Sequence, residues 1–502
     1  MLFTQIEFLF FFFPLCLLGY FVLARFFQNP LIRITWLAVA SLVFYGYWDK
    51  HFLKIILVSI VINYAFSCFI GKRDQSLKVK RSFLTAALLV NLGGLVYYKY
   101  ANFGLHVIGK IAGHAFDPLS IVLPLGISFF TFTQITYLVD VYRGQSAEKN
   151  FPKYVLFVTF FPHLIAGPIL HHSEMMPQFG AETSRKLSYD KLAMGLTIFA
   201  IGLFKKLLIA DSFALLANPI FNQAIVAQVP IFDAWIAALS YSLQIYFDFS
   251  AYSDMAIGIS ILFGIRLPFN FDSPYKSRSI IEFWRRWHIS LSRFLRDYLY
   301  FELGGNRKGT LARYGNLMIT MVLGGLWHGA GITYLLWGTL HGLYLMVNHG
   351  WRNLCKKVPA LLHMSDKAFW KVGMLLFTQL MVVIAWVFFK AEHFRNARNM
   401  LYSMFHIGSK KVEQTFTNDI GLTFLFIFAG YFICMALPNI KDMFKEHNPG
   451  LEIYKNDQAS TLVQLRWTPT VTWAVITAVF LLLGISMSLI MGDRSPFLYF
   501  QF

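Results

Sequence analysis

The feature that most constrains this chain is a succession of apolar runs, each long enough to cross a ~30 Å hydrocarbon core. Candidate spans fall at about 4–24, 31–48, 53–70, 83–98, 118–139, 153–169, 193–216, 232–248, 252–265, 314–330, 331–348, 370–390, 420–437 and 470–491. The runs are continuous and do not alternate, and only helices or closed barrels satisfy their backbone in lipid. The expected fold class is therefore all-α, a polytopic transmembrane helical bundle. Composition agrees, with 14% charged residues against the quarter or so of a soluble domain, and 57% hydrophobic. The run between Phe8 and Val22 lacks a basic leader and a small-residue cleavage site, so it is expected to stay as a first helix.

The formal charge of +18 does not call for nucleic acid, because the Lys and Arg residues sit in short loops between apolar runs. Lys72, Arg73, Lys78, Lys80 and Arg81 crowd one loop with only Asp74 opposing. This marks it as cytoplasmic, and counting back three spans puts the N-terminus outside. Lys441, Lys445, Lys455 and Arg466 place the 438–469 loop inside as well, so the last helix carries the C-terminal residues outside. Cys16, Cys68, Cys355 and Cys434 have neither disulfide nor metal spacing.

One stretch, 277–313, breaks the hydropathy pattern. It carries a dozen charged or imidazole side chains, with Trp284, Trp287, Leu291, Phe294, Leu295 and Tyr298 interleaved at helical spacing. Such a helix lies at the membrane surface or folds into the protein interior. Glu282/Arg286 and Arg293/Asp297 are spaced to pair at i,i+4, leaving Arg285 and His288 on another face.

Several residues could carry chemistry. His328, in Gly324–Gly325–Leu326–Trp327–His328–Gly329, ends an apolar segment, where an ionisable side chain is costly and faces a cavity or a partner. It is either a neutral histidine bonded between helices or a general base, the role imidazole suits near neutral pH. His288 is a second candidate. His341 reads as a packing histidine lining the same cavity, and His163, with His171 and His172 beyond Gly167–Pro168, as part of a broken helix around a polar interior. No ligand-spaced Cys, Asp or Glu accompanies these histidines, so no metal is assigned. Asp248, Tyr252, Ser253 and Asp254 form a polar belt needing internal partners, which the surplus arginines of 277–313 could supply.

The C-terminal residues, Ser495–Pro496–Phe497–Leu498–Tyr499–Phe500–Gln501–Phe502, are aromatic where a tail is ordinarily polar and frayed. They should dock into a groove. Tyr499 is either an interfacial aromatic or a phenol whose pKa near ~10 makes its esters good acyl donors.

Taken together, these stretches resemble the membrane-bound O-acyltransferase superfamily. The likeness is strongest to the branch that includes the alginate O-acetylation membrane protein and its peptidoglycan-acetylating relatives. The resembling segments are Leu123–Pro124–Leu125–Gly126–Ile127–Ser128–Phe129, Phe161–Pro162–His163–Leu164–Ile165–Ala166–Gly167–Pro168 and Tyr246–Phe247–Asp248–Phe249–Ser250–Ala251–Tyr252–Ser253–Asp254. Phe283–Trp284–Arg285–Arg286–Trp287–His288–Ile289–Ser290, Leu326–Trp327–His328–Gly329 and Phe497–Leu498–Tyr499–Phe500 complete them.

The resemblance implies a bundle with a central reaction tunnel over 1–494 and a periplasmic acyl-carrying tail at 495–502, in a bacterial inner membrane with both termini periplasmic. It implies His328 as the essential histidine, His288 as the second one of the chamber, and a tail similar to the carrier motif of teichoic-acid D-alanylation systems. The expected function is O-acetylation of an exported polysaccharide, alginate-like or peptidoglycan. Acetyl-CoA or an acyl carrier protein thioester would be the donor, and no cofactor would be bound. Arg285, Arg286 and Trp327 are the expected donor-binding residues. The expected partner is a periplasmic serine-dependent, SGNH-like transferase. Ala251 stands where the family usually has glycine, and His171 where the alginate type often has arginine. A transporter or flippase, and an acyltransferase acting on a lipid or small molecule, are the alternatives.

Overall fold

The computed structural model describes residues 1–181, 185–186, 188–358, 361, 364, 366–406, 419–454, 462–491 and 497–498. Tyr499, the rest of the expected tail and Lys455 lie outside them. The described residues form helices throughout, with one isolated parallel bridge between Pro268 and Leu451.

Four helices open the chain: α1 (Phe13–Phe26, continuing a π turn from Glu7), α2 (Pro30–Gly46), α3 (Lys50–Ile70) and α4 (Leu77–Ala112). Side-chain oxygens of Asn29, Asp49 and Ser76 cap three of them, accepting from the N–H of Leu31, His51 and Val79. There follow α5 (Ile127–Tyr142), α6 (Phe151–Thr159), α7 (Phe161–Leu164), α8 (His172–Met175), α9 (Tyr189–Phe204), a π turn (Lys205–Ala210), α10 (Asp211–Gln223) and α11 (Ile231–Leu262). The second half holds α12 (Ile280–Arg286), α13 (Ile289–Phe294), α14 (Gly309–His328), α15 (Ile332–Lys357), α16 (Ala368–Lys390), α17 (Phe394–Met404), α18 (Ile420–Ala436), α19 (Ile440–Met443) and α20 (Val471–Met491). Among the described residues, six helical segments are long and apolar enough to cross a membrane.

At the centre stands α11, buried along almost its whole length and ~48 Å long at 1.5 Å per residue. Hydropathy alone divides it into two spans, 232–248 and 252–265, around a stretch that carries Asp248, Ser250, Ser253 and Asp254. The helix is nonetheless unbroken, because protein rather than lipid surrounds those groups. Small residues let α9 lie directly on it. A Cβ at Gly195 would come 2.8 Å from the Gly258 carbonyl, and one at Gly202 would come 2.9 Å from that of Ala251. The same device joins α14 to α15, where a Cβ at Gly338 would meet the Met321 carbonyl at 2.4 Å.

The two basic loops share a face. From the end of α3, the Tyr64 hydroxyl donates to the Lys149 carbonyl (2.8 Å). Arg143 pairs with Glu302 (2.6 Å), and Arg296 donates to the Tyr454 hydroxyl (2.8 Å), which ties this face to the 438–454 loop. On the other face the Met1 amine reaches the Phe44 carbonyl at the end of α2, and Ser488 near the end of α20 donates to that of Thr4.

The 277–313 stretch is not the one continuous helix its spacing suggested. Trp287 is extended (φ −102°, ψ 129°) and His288 sits in the left-handed region (φ 41°, ψ 57°), which separates α12 from α13. The segment folds into the interior, the second of the two alternatives, because Phe283, Trp284, Arg286, Trp287 and His288 are all buried. Its i,i+4 pairs form as spaced, Glu282–Arg286 at 3.0 Å and Arg293–Asp297 at 3.8 Å.

Candidate active site

A left-handed histidine is strained and persists only where its surroundings over-determine it. Asn270 supplies much of that constraint: its carbonyl accepts from Ile289 N (3.0 Å), and its side-chain oxygen accepts from Ser290 N (3.2 Å) and Ser290 Oγ (2.6 Å). Asp272 N adds a bond to the Arg286 carbonyl (3.0 Å), and Ser290 Oγ accepts from Ile169 N (3.0 Å). The kink turns the His288 ring inward against Phe249 of α11, with ring centroids 4.7 Å apart.

His328 is the last residue of α14, and two side chains from α4 fix that terminus. Lys99 Nζ donates to the carbonyls of Trp327 and His328, and Tyr100 donates to that of Leu326. The final carbonyls of a helix have no partner within it, so α4 caps in trans the turn that carries the histidine.

From here histidine and tryptophan rings alternate. His288 lies 6.1 Å from Trp327, Trp327 4.7 Å from His328, His328 5.2 Å from Trp337, and Trp337 4.9 Å from His341. The three imidazoles are 0, 4 and 0% exposed. Trp284 Nε1 donates to His341 Nδ1 (3.2 Å), so His341 is neutral with its proton on Nε2. That nitrogen and the indole N–H groups of Trp327 and Trp337 have no hydrogen-bond partner among the described residues.

A column of stacked rings leads from this cluster to the face with the basic loops: Trp327 to Phe132 (5.5 Å), Phe132 to Phe294 (4.1 Å), Phe294 to Tyr298 (5.4 Å). Tyr298 donates to Asp140 (2.7 Å), and its oxygen lies 3.1 Å from His171 Nδ1. These residues line a polar cavity of about 830 Å³ with Arg143, Arg293, Arg307 and Lys308. A second cavity, of about 490 Å³, lies between α9, α11, α18 and α20, with Lys205, Asp254 and Lys441 among largely apolar walls.

Asp248 and Asp254 do not find their partners among the arginines of 277–313, as the sequence suggested. The π turn before α10 sets two consecutive lysines toward α11, a use of π geometry common at functional sites. Lys205 pairs with Asp254 (2.7 Å), and Lys206 pairs with both Asp248 and Asp211 (2.8 Å each). Asp248 also receives the tail: its Oδ2 accepts from Leu498 N at 3.0 Å. Phe497 packs edge-on to Tyr252 (5.2 Å), and both described tail residues are buried, so this part docks as expected.

Of the other expected site residues, Trp327 is buried inside the cluster, and Ser253 is buried on α11. His163 sits apart, its Nε2 3.0 Å from the Phe157 carbonyl. Arg286 is buried between Glu282 and Asp272, donating to the Asp272 carbonyl (3.0 Å), while Arg285 is exposed. Sequence reasoning missed Lys99, Tyr100, Lys205, Lys206 and Asn270. The lysines had a signal, since each interrupts an apolar run where a charge needs a reason. Asn270 had none.

Residues 42–389 match the membrane-bound O-acyltransferase family. The chain belongs to that family. It is therefore an O-acyltransferase of the membrane, which sets aside the transporter reading. It is 38% identical to the peptidoglycan O-acetyltransferase of Helicobacter pylori, over 100% of this chain and 98% of that one. It is 39% identical to the probable alginate O-acetylase of Pseudomonas putida, over 100% of both. A more distant likeness, 29% identity over 45% of this chain and 57% of the other, links it to the teichoic acid D-alanyltransferase of Streptococcus thermophilus.

Proposed function

We propose that this acyltransferase takes an acetyl group from a cytoplasmic thioester, acetyl-CoA or an acyl carrier protein, and passes it across a bacterial inner membrane on the phenol of Tyr499. One observation carries the reading. Phe497 and Leu498 are drawn into the bundle onto Asp248 and Tyr252 of α11, while Phe249 of the same helical turns touches His288. The described part of the tail is thereby held one residue along α11 from the contact with the histidine cluster.

The donor approaches the face of the basic loops. There Arg143, Arg307 and Lys308 of the polar cavity suit its phosphates better than the buried, paired Arg286. The aromatic column from Tyr298 to Trp327 marks the route inward, and rotation of its rings opens it. His328 or His288 removes the phenolic proton as the oxygen attacks the thioester carbonyl. The C–S bond breaks, the thiolate recovers the proton from the imidazolium, and the tail carries an aryl acetate.

A periplasmic transferase of the SGNH type then attacks that ester with its serine, regenerates the phenol and acetylates an exported polysaccharide. With this topology both termini are periplasmic, and residues 1–494 and 495–502 are catalytic body and carrier. Tyr499→Phe is expected to fold and to abolish ester acetate on the polymer in a complemented acetylation-deficient strain; normal acetylation would remove the tail from the reaction. His328→Ala is expected to stop acetyl release from the donor, and unchanged turnover would refute its role.

A further inference from the structure

We infer that Asp248 and Lys206 are positioning residues: together they form a seat that grips the chain immediately before Tyr499 and sets the depth to which its phenol enters. The inference rests on the carrier reading above. Asp248 divides its two oxygens, Oδ1 to Lys206 Nζ (2.8 Å) and Oδ2 to the main-chain N–H of Leu498 (3.0 Å). The Lys206 ammonium also lies over the Phe497 ring, 4.9 Å from its centroid, and Tyr252 meets that ring edge-on. Two consecutive tail residues are thus held by two side chains that are themselves ion-paired, all of them buried.

Covering an aromatic tail does not need ions. Apolar side chains of similar volume would serve as well or better, because buried ion pairs are expensive to desolvate. What an ion pair adds is register. A carboxylate that accepts one particular amide fixes which residue stands where, whereas an apolar groove tolerates sliding. The bond is made to the main chain at Leu498, the residue joined directly to Tyr499. Asp248 stands 17 residues from Ile231, midway along α11, one residue before the Phe249 that touches His288. The seat therefore holds Leu498 beside the α11 residue that adjoins the contact with that imidazole.

The test uses the full-length protein in lipid nanodiscs with an acetyl thioester. Acylation of the C-terminal peptide is followed by mass spectrometry over a range of donor concentrations, and exchange of the Leu498 amide is measured separately. Leu498→Pro deletes the main-chain donor to Asp248 Oδ2, and Leu498→Ala, which removes the same buried side chain, keeps it. The expected result is that Leu498→Pro lowers kcat for tail acylation about 10- to 100-fold, the range for a hydrogen bond to a charged group. The donor KM stays unchanged, and Leu498→Ala, which loses the same buried side chain, is the reference from which that fall in kcat is measured. Asp248→Asn and Lys206→Met speed Leu498 amide exchange with little change in other peptides. A kcat in Leu498→Pro equal to that of Leu498→Ala, or wild-type exchange in Asp248→Asn, overturns the seat. If Tyr499→Phe is acylated as well as wild type, the carrier reading falls, and the exchange measurement still decides whether the seat exists.

Discussion

Lys99→Met tests how the principal histidine is held. The lysine donates to the carbonyls of Trp327 and His328, at a helix end where the chain leaves extended at Gly329 (φ −164°). Each hydrogen bond from a charged donor is worth about 1.5–3 kcal/mol, and a cation at a partly buried helix C-terminus adds up to ~2 kcal/mol. Against this stands the several-kcal/mol cost of burying the ammonium, which methionine, of similar length, does not incur. Two buried carbonyls left unsatisfied cost about 1–3 kcal/mol each, so the last turn of α14 should weaken by roughly 2–6 kcal/mol. A displacement of a catalytic group by ~1 Å costs on the order of 100-fold in rate. Turnover of an acetyl thioester by the reconstituted variant should therefore fall about 100-fold with the donor KM unchanged, and Lys99→Arg should restore part of it. Wild-type turnover and melting in Lys99→Met would refute the claim that α4 fixes His328.

Three further outcomes follow from the packing and the charges. Gly338→Ala forces a Cβ to 2.4 Å from the Met321 carbonyl and should cost at least ~1–3 kcal/mol. Gly350→Ala, on the same helix but with open space, should raise stability by up to ~1 kcal/mol; thermal unfolding of the pair checks the order. Arg307→Ala with Lys308→Ala should raise the donor KM about fivefold at unchanged kcat, the worth of exposed charge contacts, and an unchanged KM would place the donor elsewhere. In the 438–454 loop, burial and then the neighbouring Asp272 push the Asp442 carboxyl above the usual range. A raised folded-state value means that stability is fullest below the unfolded-state pKa and declines as pH rises through the folded-state pKa. Asp442→Asn lacks this slope, so its melting advantage should grow from acid to neutral pH; a constant difference contradicts the linkage.

Much of this was legible because the signals were local. The basic clusters at 72–81 and 441–466 read as one side of the membrane, and the residues linking them do share a face. The spacing of Glu282 with Arg286 and of Arg293 with Asp297 gave the observed pairs, and the aromatic tail announced a groove. What escaped was set by tertiary contact. α11 looked like two spans, 232–248 and 252–265, because hydropathy cannot tell lipid from protein interior. The partners of Asp248 and Asp254, Lys206 and Lys205, lie more than 40 residues away on a π turn that no propensity announces. The break at His288 was hidden because 277–313 keeps helical spacing on both sides, and the bonds from Asn270 and Asp272 that hold it depend on a loop brought alongside by folding.

The most direct test is to find where the acetyl group goes. The full-length protein, given an isotopically labelled acetyl thioester without its periplasmic partner, should carry one labelled acetyl on the 495–502 peptide, on the oxygen of Tyr499, and the His328→Ala variant should carry none. Label on another residue, or an unlabelled chain whose strain still acetylates its polymer fully, would contradict the account.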